Sequence, residues 1–196
     1  MEVREAVHPE HGAVMDTEDL RQHFLIEDLF KGNEPKLVYT FYDRLIVGGV
    51  KPETPTELKV EPSILGADYL LERREMGAIN IGGPGSITVA GNKVEMATRD
   101  GLYIGKGNQD IVFESESAAN PARFYLLSAP AHSEFPVEKI TFADAEPVHM
   151  GESVNSNKRT IRKYIHPDGV KSCQLVMGMT TLEPGSVWNT MPPHTH

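Results

Sequence analysis

Two histidines one residue apart, His194 and His196, follow the rigid pair Pro192-Pro193. In an extended strand side chains repeat every second residue, so both imidazoles point to one face. That is half of a zinc site, whose usual ligands are histidine nitrogens and carboxylates. Eight histidines in 196 residues produce roughly 0.3 such pairs by chance, so spacing alone carries little weight. The surroundings add to it: Pro184-Gly185 turns the chain, and the two later prolines stiffen the approach. Glu183 precedes the Pro-Gly turn and is poorly placed as a further ligand, and no acid or histidine follows His196. His8, His11, His23, His132, His149 and His166 are scattered and read as solvated or core-edge residues.

Four other stretches contain chemically capable side chains. "ERRE", from Glu72 to Glu75, offers two carboxylates for proton transfer but reads better as a salt-bridged strand end. "GGPGS" has the glycines of a phosphate cradle, yet it joins two strands and opens no helix, so it is a turn. "NKRTIRK" places Lys158, Arg159, Arg162 and Lys163 within six residues. As a strand, Arg159 and Lys163 face one way and Lys158 and Arg162 the other, a solvated edge or an anion-binding pair. Cys173 lies in an apolar stretch with no neighbouring histidine in sequence and reads as core.

The elements that position these residues are mostly strands. "DTEDLRQHFL" is the best helix signal, with Thr17 as N-cap, acids in the first turn, and Leu20 and Phe24 on one face. It predicts a helix over 17–25, packed outside the main body. "KLVYTFY", "ELKVE", "LYIG", "DIVFES", "ARFYLLSA", "TIRKYI" and "CQLVMGMTTLE" read as short strands. "SITVAGNKVEM" is a hairpin with Gly91-Asn92 supplying the positive φ angles. Regular short strands with glycine turns predict an all-β sandwich or barrel. Residues 133–157 are polar, carry Pro136 and Pro147, and read as a linker.

Composition sets bounds on partners. Hydrophobic residues are 39% and charged ones 24%, a balance that supports a packed core. Net charge is -9, so a nucleic-acid backbone is repelled, and an anionic substrate must meet a local arginine or lysine cluster. No apolar run approaches the ~20 residues of a membrane span. The charged start lacks the apolar run of a secretory signal, and the single cysteine fits a reducing cytosol. "RLIVGGVKP" at 44–52 echoes "QLVMGMTTLEP" at 174–184, which suggests a duplicated unit.

"PEHG", "DRLIVGGV", "LLERREMGAINIGGPGSITV", "YIGKG", "PAHSEFP", "NKRTIRKY" and "CQLVMGMTTLEPGSVWNTMPPHTH" together resemble the 4-deoxy-L-threo-5-hexosulose-uronate ketol-isomerase (5-keto-4-deoxyuronate isomerase) family. The resemblance runs nearly end to end. It implies two cupin (double-stranded β-helix, jelly-roll) barrels, with zinc in the second and a hexameric assembly. It implies aldose–ketose isomerisation of an unsaturated-uronate product in pectin breakdown, a small-molecule task for a cytoplasmic enzyme with no nucleic-acid or membrane partner. His194 and His196 match the family's His-x-His pair; its glutamate and third histidine have no counterpart here. The expected organisation is an extension over 1–34, a metal-free barrel over 35–132, a linker over 133–157 and an incomplete second barrel over 158–196. The metal-free expectation rests on the lack of a histidine pair over 34–130 and on "ERREMGAINIGG", which stands near where a metal-binding cupin carries histidines. A chain of these 196 residues alone is expected to bind zinc weakly and turn over little. For the carboxylate of a uronate, Arg159 and Arg162 are the candidates. Two rivals stand beside this reading: a deoxyglucuronate isomerase of inositol catabolism, and a sugar-binding cupin without catalysis.

Overall fold

The computed structural model describes residues 1–188. The N-terminal 35 residues hold β1 (Glu2–Arg4), α1 (Pro9–Gly12) and α2 (Thr17–Phe24). A hairpin of β2 (Lys36–Thr40) and β3 (Ile46–Val50) leads through β4 (Thr56–Glu57) and α3 (Pro62–Leu65) to the buried strand β5 (Arg74–Asn80). Then come β6 (Gly85–Val89), β7 (Asn92–Met96), β8 (Gly101–Ile104), β9 (Ile111–Ser115) and β10 (Phe124–Pro130). The remainder supplies β11 (Glu138–Ile140), β12 (Glu146–Met150), β13 (Arg159–Ile165) and β14 (Met177–Leu182).

Two sheets are built from interleaved strands. One runs β3-β10-β5-β8, extended by β2 and β1 at one edge and β11 at the other; the facing sheet runs β4-β9-β6-β7. Successive strands from β3 to β6 and from β7 to β10 alternate between the sheets, which is the wrapped topology of a jelly roll, the architecture of cupins. The molecule is therefore all-β with a cupin-type barrel. Its interior is filled by Ile46, Val50, Met76, Ala78, Ile87, Leu102, Ile104, Phe113 and Phe124, among others. Phe113 and Phe124 stack at a centroid distance of 5.3 Å.

A third sheet, β12-β13-β14, covers the outer face of the larger one. Every residue of β5 is consequently buried. Met76 and Ala78 point into the barrel, while Ile79 joins Tyr103, Tyr164, Ile165, Leu175 and Met177 in a second apolar layer. Two glycines permit that approach. A Cβ on Gly77 would lie 2.7 Å from the Met177 sulfur and 2.8 Å from Ile165 Cδ1, and one on Gly101 would lie 2.5 Å from the Tyr164 ring.

Several local expectations shift. Asp16, not Thr17, caps α2: its side chain accepts the Asp19 N–H at 3.0 Å. The helix lies outside the barrel with no buried residue. The β6–β7 register pairs Val89 with Asn92, so the turn residues with positive φ are Ala90 and Gly91, one position earlier than Gly91-Asn92. "ELKVE" is strand only at Glu57, after which the chain leaves the sheet. The polar stretch 133–157 contains β11, paired with β8, and β12, paired with β13. Both pair through main-chain groups at sheet edges, and only Ile140 among their side chains is buried, so hydropathy hardly marks them. Among the described residues no helix is long and apolar enough to cross a membrane.

Candidate functional site

Antiparallel pairing places Arg159 opposite Leu182, Ile161 opposite Thr180 and Lys163 opposite Gly178, so these six share one face of the third sheet. A bulge between Lys163 and Ile165 turns the end of β13 inward, where Tyr164 and Ile165 enter the second apolar layer. Arg159 donates from Nη1 to the Asn157 carbonyl at 3.1 Å, while its Nε is buried without a partner among the described residues. Lys163 lies 3.7 Å from the Glu146 carboxylate on the same face. This is an electropositive strand face with an unsatisfied donor.

Arg162 points the other way. Its guanidinium sits 3.8 Å from the centroid of Phe142 and donates to the Phe142 and Ala145 carbonyls at 3.0 and 2.9 Å. Arg99 covers the same ring at 4.0 Å, and Tyr164 donates its hydroxyl to the Arg99 carbonyl at 2.5 Å. Arg162 is thus committed to fastening the third sheet to the barrel, and it faces away from Arg159, the other candidate for a uronate carboxylate. After β14 the chain turns at Gly185, φ 81°, and the Val187 N–H donates to the Ser156 carbonyl at 2.8 Å. The stretch approaching residue 189 is thereby held beside the segment that enters β13. His194 and His196, the expected metal ligands, lie outside the described residues. Among the described residues no three His, Cys, Asp or Glu side chains come together as a metal site.

The "ERRE" motif divides. Glu72 accepts the Asp68 N–H at 2.7 Å and lies 3.3 Å from Arg73, a salt-bridged strand end as expected. Glu75 does something different. Fully buried, its carboxylate accepts N–H groups of Cys173, Gln174 and Leu175 at 2.7, 2.6 and 2.6 Å and the Tyr103 hydroxyl at 2.6 Å. Tyr103 stands opposite Gly77, two residues along β5 from Glu75, and its hydroxyl reaches that carboxylate. Burial, and then the bond to Glu75, push the Tyr103 hydroxyl well above its ordinary range. Cys173, half-buried, sits beside an imidazole after all: its sulfur is 3.2 Å from Nδ1 of His132 and accepts the His132 N–H at 3.4 Å. Thiol and imidazole are the partners of nucleophilic catalysis. No described group bonds the ring from its other side, and His132 is exposed. Forty-one residues separate these partners, which is why neither marks the other in sequence.

"GGPGS" is the tight β5–β6 connection, closed by Asn80, whose side chain bonds the Gly83 carbonyl at 2.8 Å and the Gly82 N–H at 3.1 Å. It holds no anion cradle at a helix start.

Residues 27–196 match the KduI/IolB family. Over its whole length the chain is 50% identical to a protein named 4-deoxy-L-threo-5-hexosulose-uronate ketol-isomerase from Enterobacter sp. (strain 638), of which it spans 71%. Proteins of the same name from Caldicellulosiruptor bescii and Burkholderia cenocepacia are each 51% identical, again across all of this chain and 71% of theirs. Among solved structures, an iolb-like protein from Salmonella typhimurium LT2 is similar at 16% identity and TM-score 0.45, over 61% of this chain and 43% of that one.

Proposed function

The chain belongs to the KduI/IolB family, and on that premise we propose that it is a ketol-isomerase acting on an open-chain deoxy-uronate. The reaction is interconversion of 4-deoxy-L-threo-5-hexosulose uronate and 3-deoxy-D-glycero-2,5-hexodiulosonate. The observation that carries this reading is the identity of about one half, along the entire chain, to proteins named for that activity. The chain spans 71% of the length of those relatives.

Such a reaction removes a proton from the carbon beside a carbonyl and returns it to the neighbouring carbon through an enediolate. His194 and His196 are the proposed zinc ligands, and two imidazole nitrogens suit that ion. Zinc, when bound, supplies Lewis-acid stabilisation of the developing oxyanion charge. The substrate's carboxylate must be drawn in against a net charge of -9, and the Arg159–Lys163 face supports that role. The third sheet, which carries this face, opens the proposed second barrel, with β13–β14 in the place that β2–β3 takes in the first. Gly178 and Gly48 hold matching positions in the two hairpins, each against a main-chain carbonyl of the strand beside it at 3.0 Å from an added Cβ.

The test is turnover of the natural-length protein on the hexosulose uronate and, separately, on deoxyglucuronate, following the carbonyl by NMR. Faster turnover of the hexosulose uronate supports the assignment. Preference for deoxyglucuronate replaces it with the rival isomerase, and turnover of neither leaves a binding cupin.

A further inference from the structure

We propose that the end of the first barrel at which β5 begins is a binding site for a small organic carboxylate, held by Arg74 and Arg44. The argument starts from Arg74. It stands on the inner face of β5, only 7% exposed, at the barrel's rim. Its Nε donates to the Ser128 hydroxyl at 3.1 Å, and Nη2 donates to the Ser128 and Arg44 carbonyls at 2.7 and 2.6 Å. Those bonds account for one edge of the guanidinium. Nη1 makes no hydrogen bond with a described residue, and it is not sealed from solvent, because the only buried unpartnered side-chain donor among them is on Arg159.

No described carboxylate forms an ion pair with Arg74 or Arg44. The nearest cationic neighbour along the chain, Arg73, has its own partner in Glu72. An arginine this buried without an acid is unusual, because a buried charge is ordinarily paired. Burial, with Arg44 adding to it and Tyr39 opposing, pushes the Arg74 guanidinium down to about 10. The Arg74 guanidinium, 5.8 Å from the centroid of the Tyr39 ring, faces a cavity of about 180 Å³ whose lining includes Arg44, Arg73, Ile64, Leu65 and Leu70. The lining combines cationic and aliphatic side chains, which suits a molecule with an anionic head and a short carbon tail. Only Nη1 of Arg74 is free, so a carboxylate takes one charge-assisted bond there and leaves its second oxygen for Arg44. A purely structural arginine accounts for Nε and Nη2 but leaves Nη1 and the Arg44 charge without a purpose.

This site is distinct from the Arg159–Lys163 face, lies in the other barrel, and stands or falls independently of the isomerase assignment. The test titrates the full-length protein with propanoate, with its neutral isostere propanamide, and with inorganic phosphate, reading the Arg74 Nε–H resonance by NMR. The expected result is a saturable shift with propanoate and roughly tenfold weaker binding of propanamide, which lacks the charge, and of phosphate, which has no carbon tail for Ile64, Leu65 and Leu70. Arg44→Asn, at an exposed position with φ 52° that asparagine tolerates, should fold normally and weaken propanoate roughly tenfold. Absence of a saturable shift overturns the proposal, as does equal propanoate binding by Arg44→Asn. Phosphate binding as tight as propanoate overturns the carboxylate assignment.

Discussion

Glu75 joins stretches of chain up to one hundred residues apart. Its four hydrogen bonds hold the loop before β14 against the centre of the barrel sheet. Removing it by Glu75→Ala strands three backbone N–H groups in an apolar layer, and we expect a loss of about 3–5 kcal/mol in urea unfolding. Glu75→Gln should recover part of that loss, because one oxygen remains. Tyr103 gives a pH signature. Its folded ionisation is raised, so its contribution is complete below the unfolded value near ~10 and declines as pH climbs above it. The difference in stability between wild type and Tyr103→Phe should therefore be flat to about pH 9 and shrink toward about pH 11. Taking the difference also removes the opposing effect of Arg74, whose ionisation is lowered. Arg159→Gln should raise KM for the uronate roughly tenfold with little change in stability. Arg162→Gln should instead lower the melting temperature, because it loses two carbonyl bonds and the Phe142 face. In sequence, strand parity already separated Arg159 from Arg162, but nothing there says which face is solvent. Glu75 was illegible for a related reason: "ERRE" looks like a charged strand end until β14 arrives to bury one of its members.

The strands were readable wherever one face is apolar and the other polar, as in the β6–β7 hairpin. They were hard to read where pairing is carried by the backbone alone, as in β11 and β12. The docking of whole sheets depends on absences of side chain, which hydropathy does not score. Gly101 is the clearest case, since a methyl there enters the Tyr164 ring. Gly101→Ala should cost about 1–3 kcal/mol, the usual penalty of overpacking. The same substitution in a Tyr164→Ala background should cost much less, and a double-mutant cycle by urea unfolding reads that coupling. Additive losses would place the strain elsewhere than between β8 and the third sheet.

At the scale of the molecule, an acidic chain carries two positively charged faces: the strand face around Arg159 and the barrel end around Arg74. The all-β class and the family were legible in composition, turn chemistry and motifs. The placement of cations was not, because it follows from which sheets face each other. The central claim is that the chain is a ketouronate isomerase whose chemistry depends on the histidine pair. The most direct measurement is turnover of 4-deoxy-L-threo-5-hexosulose uronate, with zinc quantified in the same samples, for the natural-length protein and its His194→Ala variant. The account predicts that the wild type turns over the ketouronate with zinc bound, and that His194→Ala loses both metal and turnover while remaining folded. Undiminished turnover and zinc in His194→Ala would contradict it.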